Sequence, residues 1–221
     1  MSKKTTLPQS YLRLFHIAYT TPSIDLYIDD QKYHTDILYE DFTYYTPLTP
    51  GIHQVLITLH HNNETLYKRT VDLSPYKIYT LLLLNEMKNT NKCLLYLIED
   101  VRRSIPSEHC MCRLGHFNPS AGPLELHLKS PEEELFKKVS CYTMTPYFPV
   151  LPQTYHLNLL DNISPQPFLS LNELLLKTER FYTLYIIGNT EKDTPKKLIL
   201  SIDGNSYIHP KRSENHSQSN S

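Results

Sequence analysis

An internal repeat with an offset of about 100 residues constrains this fold more than any other feature of the sequence. Arg13-Leu14-Phe15-His16 matches Arg113-Leu114-Gly115-His116 at an offset of 100 residues. After the next strand the offset becomes 103, and it then aligns the following pairs: Tyr39 with Tyr142, Tyr44 with Tyr147, Leu48 with Leu151, His53 with His156, Tyr79-Thr80-Leu81 with Tyr182-Thr183-Leu184, and Asp100 with Asp203. The sequence therefore predicts two tandem copies of one domain.

The limits of the repeat give the expected domain boundaries. Both ends of the chain are polar and fall outside the repeat, so we expect them to be disordered. The predicted organisation is a disordered N-terminus at 1–9, a first domain at 10–100, a linker at 101–109, a second domain at 110–204 and a disordered tail at 205–221.

Within each copy the apolar residues alternate with a period of two, which is typical of half-buried strands. Ile24, Leu26 and Ile28 show this alternation, and Tyr79 to Leu84 is apolar enough for a central strand. The helix-compatible run from Leu169 to Arg180 aligns with a strand and loop region of the first copy, so we predict no helix there. The expected fold class is all-β, with two tandem immunoglobulin-like β-sandwich domains.

The opening segment from Arg13 to Ile28 resembles a bacterial family of domains of unknown function. Its members begin with a strand, a His-Ala-Ser-Pro-like loop and a Val-Asp-Val-Tyr-like strand. Further matching positions are Arg113, His116, Pro119, Pro123 and Leu124-Glu125-Leu126 in the second copy, and Tyr39, Tyr44, Pro50-Gly51 and His53 in the first. The resemblance implies tandem β-sandwich modules on bacterial envelopes, with no established activity. This chain departs from the family in having Thr154 where the turn glycine is expected.

Composition and charge exclude several classes of protein. The formal net charge of −1 argues against a nucleic-acid partner, and 5 glycines leave little material for a phosphate-binding loop. The longest strongly apolar stretch, Ile78 to Leu84, is far shorter than the ~20 residues that a membrane helix needs. The first residues contain no apolar signal segment. We therefore expect no membrane insertion, and synthesis in the cytoplasm without a signal peptide.

His16 and His116 occupy the same repeat position, at the end of the first strand of each copy. One interpretation makes each a ligand or a base in a loop pocket. The other makes each a buried imidazole that holds the following turn in place, and we favour this structural role. Asp25 and Glu125 also recur nearby, so a histidine–carboxylate contact in each domain is a further expectation.

Tyrosine is the most unusual excess in the composition, with 17 residues. We expect Tyr39, Tyr44, Tyr142 and Tyr147 to lie in the same strand of each copy. Tyrosine has high strand propensity, so cross-strand packing explains these positions. The alternative is an exposed aromatic surface for a glycan, a peptide or a neighbouring subunit, because tyrosine supplies rigid amphipathic contact area.

The cysteines raise the question of a metal site. Cys110 and Cys112 lie in a segment with His109 and His116, and Cys141 follows. Their Cys-x-Cys spacing differs from the Cys-x2-Cys spacing of zinc knuckles, and Cys112 and Cys141 align with Leu12 and Leu38, so we interpret those two as small core residues. We predict no metal and no cofactor.

The expected function is a non-catalytic structural or interaction role in a bacterial surface layer. The sequence contains none of the nucleophile-elbow, dinucleotide, phosphate-loop or metalloprotease motifs. Spore coat and exosporium proteins reach a surface without a signal peptide, and their tyrosine- and histidine-rich composition is similar, so we expect deposition on the spore. The expected partners are other surface-layer proteins or further copies of the chain. Two alternatives are a soluble carbohydrate- or protein-binding module and a hydrolase with a site between the modules.

Overall fold

A computed structural model describes residues 7–129, 132–161 and 166–209, with only the backbone described at Glu132 and Glu133. Residues 1–6 and 210–221, most of the two predicted disordered ends, lie outside this range. The described chain is built of strands with two short 3-10 turns, so the predicted all-β fold of sandwich-type domains is confirmed. None of its helices is long and apolar enough to cross a membrane.

The chain divides into two compact units, which we call unit 1 (7–101 with Ile208 and His209) and unit 2 (102–207). Unit 1 contains eight strands, named β1 (Ser10–His16), β2 (Ile24–Ile28), β3 (Gln31–Ile37), β4 (Thr46–Leu48), β5 (Gly51–Leu59), β6 (Thr65–Leu73), β7 (Ile78–Asn85) and β8 (Cys93–Glu99). They form two four-stranded sheets, in the orders β4-β1-β7-β8 and β3-β2-β5-β6. All neighbours are antiparallel except β1 and β7, which are parallel.

Unit 2 contains nine strands, named β9 (Cys110–His116), β10 (Leu124–Lys129), β11 (Glu132–Val139), β12 (Thr143–Met144), β13 (Phe148–Val150), β14 (Thr154–Asp161), β15 (Leu169–Leu175), β16 (Phe181–Asn189) and β17 (Thr194–Ile202). One sheet has the order β12-β9-β16-β17 with β13 also paired to β9, and the other has the order β11-β10-β14-β15. Here β9 and β16 form the parallel pair. The run from Leu169 that we predicted not to be helical is strand β15.

Alternation along each strand explains how the sheets pack. In unit 1, Leu12 and Leu14 of β1 belong to the same buried cluster as Val55 and Ile57 of β5, so the inner faces of both sheets share one core. Each fully buried aliphatic side chain of this kind contributes about 1.5–3 kcal/mol. In unit 2 the corresponding core includes Cys112 of β9 beside leucines of β10 and β14.

Two expectations need correction, one about strand positions and one about a domain boundary. Tyr39, Tyr44, Tyr142 and Tyr147 lie in turns and loops that precede β4, β12 and β13, not in strands, because the chain passes here from one sheet of the unit to the other. Asn205 and Ser206, assigned to the tail by sequence, are buried in a 3-10 turn, Gly204–Ser206. The hydroxyl of Ser206 accepts a hydrogen bond from the backbone N–H of Phe181, which fixes this turn to β16.

Candidate functional site

His16 and His116 make the same two hydrogen bonds in their respective units. Nε2 of His16 lies 3.2 Å from the carbonyl oxygen of Pro22, and its Nδ1 accepts from the N–H of Ala18. Nε2 of His116 lies 3.0 Å from the carbonyl oxygen of Gly122, and its Nδ1 accepts from the following loop. Because Nδ1 accepts and Nε2 donates, each ring is neutral. Both side chains are fully buried and hold the loop after the first strand, the structural role that we favoured.

The electrostatics of the two histidines agree with this geometry. Burial lowers the pKa of His16 from 6.5 to about 4, although the carbonyls of Pro22 and Thr21 and the charge of Asp41 oppose the shift. Burial also lowers the pKa of His116, opposed by the carbonyl of Gly122. Both imidazoles are therefore neutral around pH 7, and each stabilises a loop as an uncharged group.

The expected histidine–carboxylate contacts, His16 with Asp25 and His116 with Glu125, are absent from the described chain. Asp25 points to the outer face of β2, whereas His16 is occupied by its own loop, so the two side chains bond different partners. Glu125 is partly exposed, and its carboxylate lies 3.5 Å from Nε2 of His127 on the same strand. The residues recur in sequence, but the contacts do not.

Asp25 is instead the centre of a polar cluster on the outer face of the β3-β2-β5 sheet. Its carboxylate accepts from Lys32 Nζ at 2.6 Å, His60 Nδ1 at 2.8 Å and the Thr35 hydroxyl at 2.8 Å, and from the backbone N–H of Asp36. Burial opposes ionisation of Asp25, but these four hydrogen bonds outweigh it and hold its pKa well below the usual range. The cluster ties β3 and the residue after β5 to β2.

A second polar cluster recurs in both units, and sequence reasoning did not single it out. In unit 1, Arg13 donates from Nε to Thr80 Oγ1 at 3.0 Å, and its guanidinium lies 4.6 Å from the ring centres of Phe42 and Tyr45. The hydroxyl of Tyr45 donates to Asp100 at 2.7 Å. In this unit a buried cation thus has hydrogen-bonding and cation–π contacts beside a buried carboxylate.

Unit 2 repeats these contacts. Arg113 donates from Nε to Thr183 Oγ1 at 2.7 Å, lies 4.4 Å from the ring centre of Tyr147 and forms an ion pair with Asp203 at 3.5 Å. The hydroxyl of Tyr147 donates to Asp203 at 2.6 Å. The signal that could have identified both clusters is the recurrence of a charged residue inside an otherwise apolar strand.

These contacts also correct the register of the repeat. Tyr147 is equivalent to Tyr45, not to Tyr44, because each donates to the carboxylate that follows the last strand of its unit. Likewise Tyr155 is the counterpart of His53, since both side chains bond the carbonyl oxygen of the residue four positions earlier. The offset in this part of the chain is therefore 102 residues, one fewer than the sequence comparison indicated.

The remaining tyrosine positions differ in exposure. Tyr39 is half-buried, with its ring 6.2 Å from His16 in an edge-on contact. Tyr142 adopts a positive φ of 61° and donates its backbone N–H to the carbonyl of His116. Tyr44 is 88% exposed, which is the largest exposed fraction among the large apolar side chains of the described chain. Of the four tyrosines predicted from the repeat, Tyr44 is thus the one that presents its whole ring to solvent.

The cysteines considered as metal ligands, Cys110, Cys112 and Cys141, are fully or partly buried thiols. Cys110 and Cys112 belong to the core of unit 2, and burial raises the pKa of Cys110 to about 11. Cys141 is half-buried, and burial raises its pKa to about 11 as well. Burial therefore disfavours the thiolate form, which is the form that coordinates metals. Among the described residues no group of three or more His, Cys, Asp or Glu side chains is close enough to hold a metal ion.

Unit 2 also contains a pocket of about 140 Å³ beside strand β13. Its lining is mainly apolar, with three polar side chains, and consists of His109, Leu128, Leu135, Phe148, Pro149, Val150, Leu151, Gln153 and Tyr155. Phe148 is 49% exposed and Leu151 is 54% exposed. The pocket is thus accessible and large enough for one side-chain-sized group, but smaller than the ~300 Å³ of a typical small-molecule site.

Comparison with known proteins gives one family. The model of the family described as Domain of unknown function (DUF4397) matches residues 10–127, more than half of the chain. The match covers the strands of unit 1 and the first two strands of unit 2 almost to the end of β10. No curated protein matches the chain.

Proposed function

Since the chain belongs to the DUF4397 family of domains of unknown function, we propose its role from its geometry: a non-catalytic structural and interaction protein of a bacterial surface layer. The proposed location is the spore coat or exosporium. The partners are other proteins of that layer or further copies of the chain.

The observation that carries this proposal is the direction in which the recurring polar side chains face. His16 and His116 hold loops, and the arginine, threonine, tyrosine and aspartate of each buried cluster bond one another. These groups stabilise a scaffold. Among the side chains presented to solvent are the aromatic rings of Tyr44 and Phe148, which suit a protein that makes protein contacts.

The proposal includes two tandem copies of one module. In its support, the sheets of the two units have equivalent strand orders, and each has a parallel pair between its first strand and the penultimate strand of the same sheet. The histidine and arginine contacts recur at equivalent positions of those strands. A shared scaffold with different surfaces is suited to connecting different neighbours in a layer.

Localisation tests the surface-layer role. A fluorescent protein is fused to the chain, expressed from the native promoter in the native host, and imaged through growth and sporulation. The expected result is a ring around the forespore, and the fluorescent protein alone is the control. A uniform cytoplasmic signal in both phases contradicts the proposal.

A second candidate function is a soluble binding module for a carbohydrate or a protein, favoured by the pocket of unit 2. The exposed ring of Phe148 offers a stacking surface, and Gln153 offers a polar amide at the same pocket. Titration with oligosaccharides, followed by the NMR signals of Phe148 and Leu151, tests the carbohydrate version. Unchanged signals at saturating sugar contradict it.

A further inference from the structure

We propose that the pocket of unit 2 binds the ring of Tyr44 from a second copy of this chain, which gives head-to-tail association. This inference rests on the proposed function, because it names the partner of an assembling surface protein. It depends on four observations: the size of the pocket, its polar groups, the rigid display of Tyr44, and the separation of ring and pocket between unequal units.

The pocket has the size and lining for one aromatic ring. An apolar cavity of roughly 150 Å³ holds a benzene molecule, and this pocket of about 140 Å³ is lined by Leu128, Leu135, Val150 and Leu151. A phenol ring therefore matches its volume.

The polar groups of the pocket suit a phenol hydroxyl. Nδ1 of His109 lies 2.6 Å from the carbonyl oxygen of Ser107, so Nδ1 carries the proton. In the neutral ring Nε2 is then an acceptor, and His109 lines the pocket. The Gln153 amide, also in the lining, offers a further donor and acceptor. A tyrosine ring with one donating hydroxyl matches this combination better than a purely apolar side chain.

Tyr44 is held rigidly in a position to enter such a pocket. The preceding residue, Thr43, exchanges backbone and side-chain hydrogen bonds with Leu14 of β1. The following residue, Tyr45, is fixed by its hydroxyl to Asp100. The Tyr44 side chain is 88% exposed. Because both neighbouring residues are anchored, its binding would cost little backbone entropy.

The residues that form the exposed ring and the pocket differ between the two units. The counterpart of Tyr44 in unit 2 is Pro146, because Thr145 bonds Leu114 as Thr43 bonds Leu14. The counterparts of Phe148 and Leu151 in unit 1 are the threonines Thr46 and Thr49, and there His34 lies within 3.3 Å of the Thr46 hydroxyl.

A projecting ring on unit 1 and a pocket on unit 2 make a heterologous contact. Such a contact generates rings or open chains rather than a closed symmetric dimer.

Sedimentation velocity of the full chain over a wide concentration range tests the inference. Wild type should form species larger than a dimer. Tyr44→Ala should weaken association about thirtyfold or more, as expected for a central aromatic anchor. Leu151→Glu, on the exposed rim, should do the same by placing a carboxylate at the pocket. Ile52→Ala is the matched control, because Ile52 is 74% exposed in unit 1 and should associate as wild type does.

Mixing the two variants distinguishes this contact from any other. Tyr44→Ala retains the pocket and Leu151→Glu retains the ring, so an equimolar mixture should form a dimer and nothing larger. Circular dichroism confirms that both variants are folded. A mixture that stays monomeric, or a wild type that is monomeric at every concentration, overturns the inference.

A small-molecule probe separates the pocket from the partner. Added p-cresol should shift the NMR methyl signals of Leu128, Leu135 and Leu151 in the Tyr44→Ala variant. Binding of p-cresol with a monomeric wild type refutes the second copy as occupant, and no shift refutes the pocket. The chain could associate through Tyr44 while its fluorescent fusion stays in the cytoplasm. That result supports this inference and contradicts only the surface-layer role, so the two failures are distinguishable.

Discussion

Acidification should destabilise unit 1 through His16, because a proton on the buried ring removes the hydrogen bond that Nδ1 accepts from the N–H of Ala18. The pKa of His16 falls from 6.5 to about 4 because of burial, with the carbonyls of Pro22 and Thr21 and the charge of Asp41 opposing. Between these pH values the unfolded chain binds a proton that the folded chain does not. Stability is therefore complete above about pH 6.5 and is lost as the pH falls toward 4.

The size of the effect follows from the shift. At about 1.4 kcal/mol per pKa unit, the full loss below pH 4 is about 3 kcal/mol, and at pH 5 it is about 2 kcal/mol. His116 changes stability in the same direction in unit 2, since its pKa is also lowered by burial. The loss is a large part of the 5–15 kcal/mol that typically stabilises a domain.

The assay measures the free energy of unfolding of wild type and His16→Gln by denaturant titration at pH 7.5 and pH 5. The NMR methyl signal of Ala18, which is buried beside the ring, reports unfolding of unit 1. At pH 7.5 the variant should be less stable, by about 1–2 kcal/mol for the lost bonds. At pH 5 wild type should have lost about 2 kcal/mol that the variant keeps, so the variant should be as stable as wild type or more stable, because only wild type titrates at this position. An equal difference at both pH values would falsify the argument, since other titrating groups cancel in the comparison.

Three further predictions concern other parts of the scaffold. Arg113→Met removes the guanidinium 3.5 Å from the buried Asp203 and should cost about 3–5 kcal/mol in denaturant unfolding; a loss below 1 kcal/mol contradicts a structural role. Gly188→Ala places a Cβ 2.1 Å from a backbone oxygen at a φ of +97° and should prevent stable folding in thermal melts. Gly51→Ala has open space around its Cβ and should cost only about 1–3 kcal/mol of stability in the same melts. Burial lowers the pKa of His53, but the Thr49 carbonyl and Asp29 outweigh burial and raise it. His53 should therefore stabilise below pH 6.5 and lose this contribution as the pH rises through its folded pKa, and His53→Tyr should abolish this dependence in the same pH series.

The strands could be predicted from the sequence because alternation depends only on neighbouring residues. Ile24, Leu26 and Ile28 form β2 with their side chains in the core, as their spacing indicates. The register of the repeat was harder to predict. Two adjacent tyrosines, Tyr44 and Tyr45, can each be aligned with Tyr147 in the sequence. The hydrogen bond from Tyr45 to Asp100, which matches the bond from Tyr147 to Asp203, shows that Tyr45 is the equivalent residue.

Contacts between distant residues could not be read from one sequence. Arg13 and Thr80 are 67 positions apart and meet because β1 and β7 pair in parallel. The pocket of unit 2 was equally hidden, since Leu128 and Phe148 come from different sheets of the unit. Asp25 stood out in the sequence through the repeat, but its contact with His60, 35 positions away, depends on the pairing of β2 with β5.

Fractionation of purified spores tests the surface-layer role most directly. Spores are released, washed and extracted, and the chain is quantified in the coat and exosporium fractions and in the mother-cell supernatant, with Tyr44→Ala beside wild type. Wild type should be recovered in the surface fractions, and the variant should be depleted from them if assembly depends on this ring. Recovery of the wild-type chain in the supernatant alone would contradict its role as a surface-layer component.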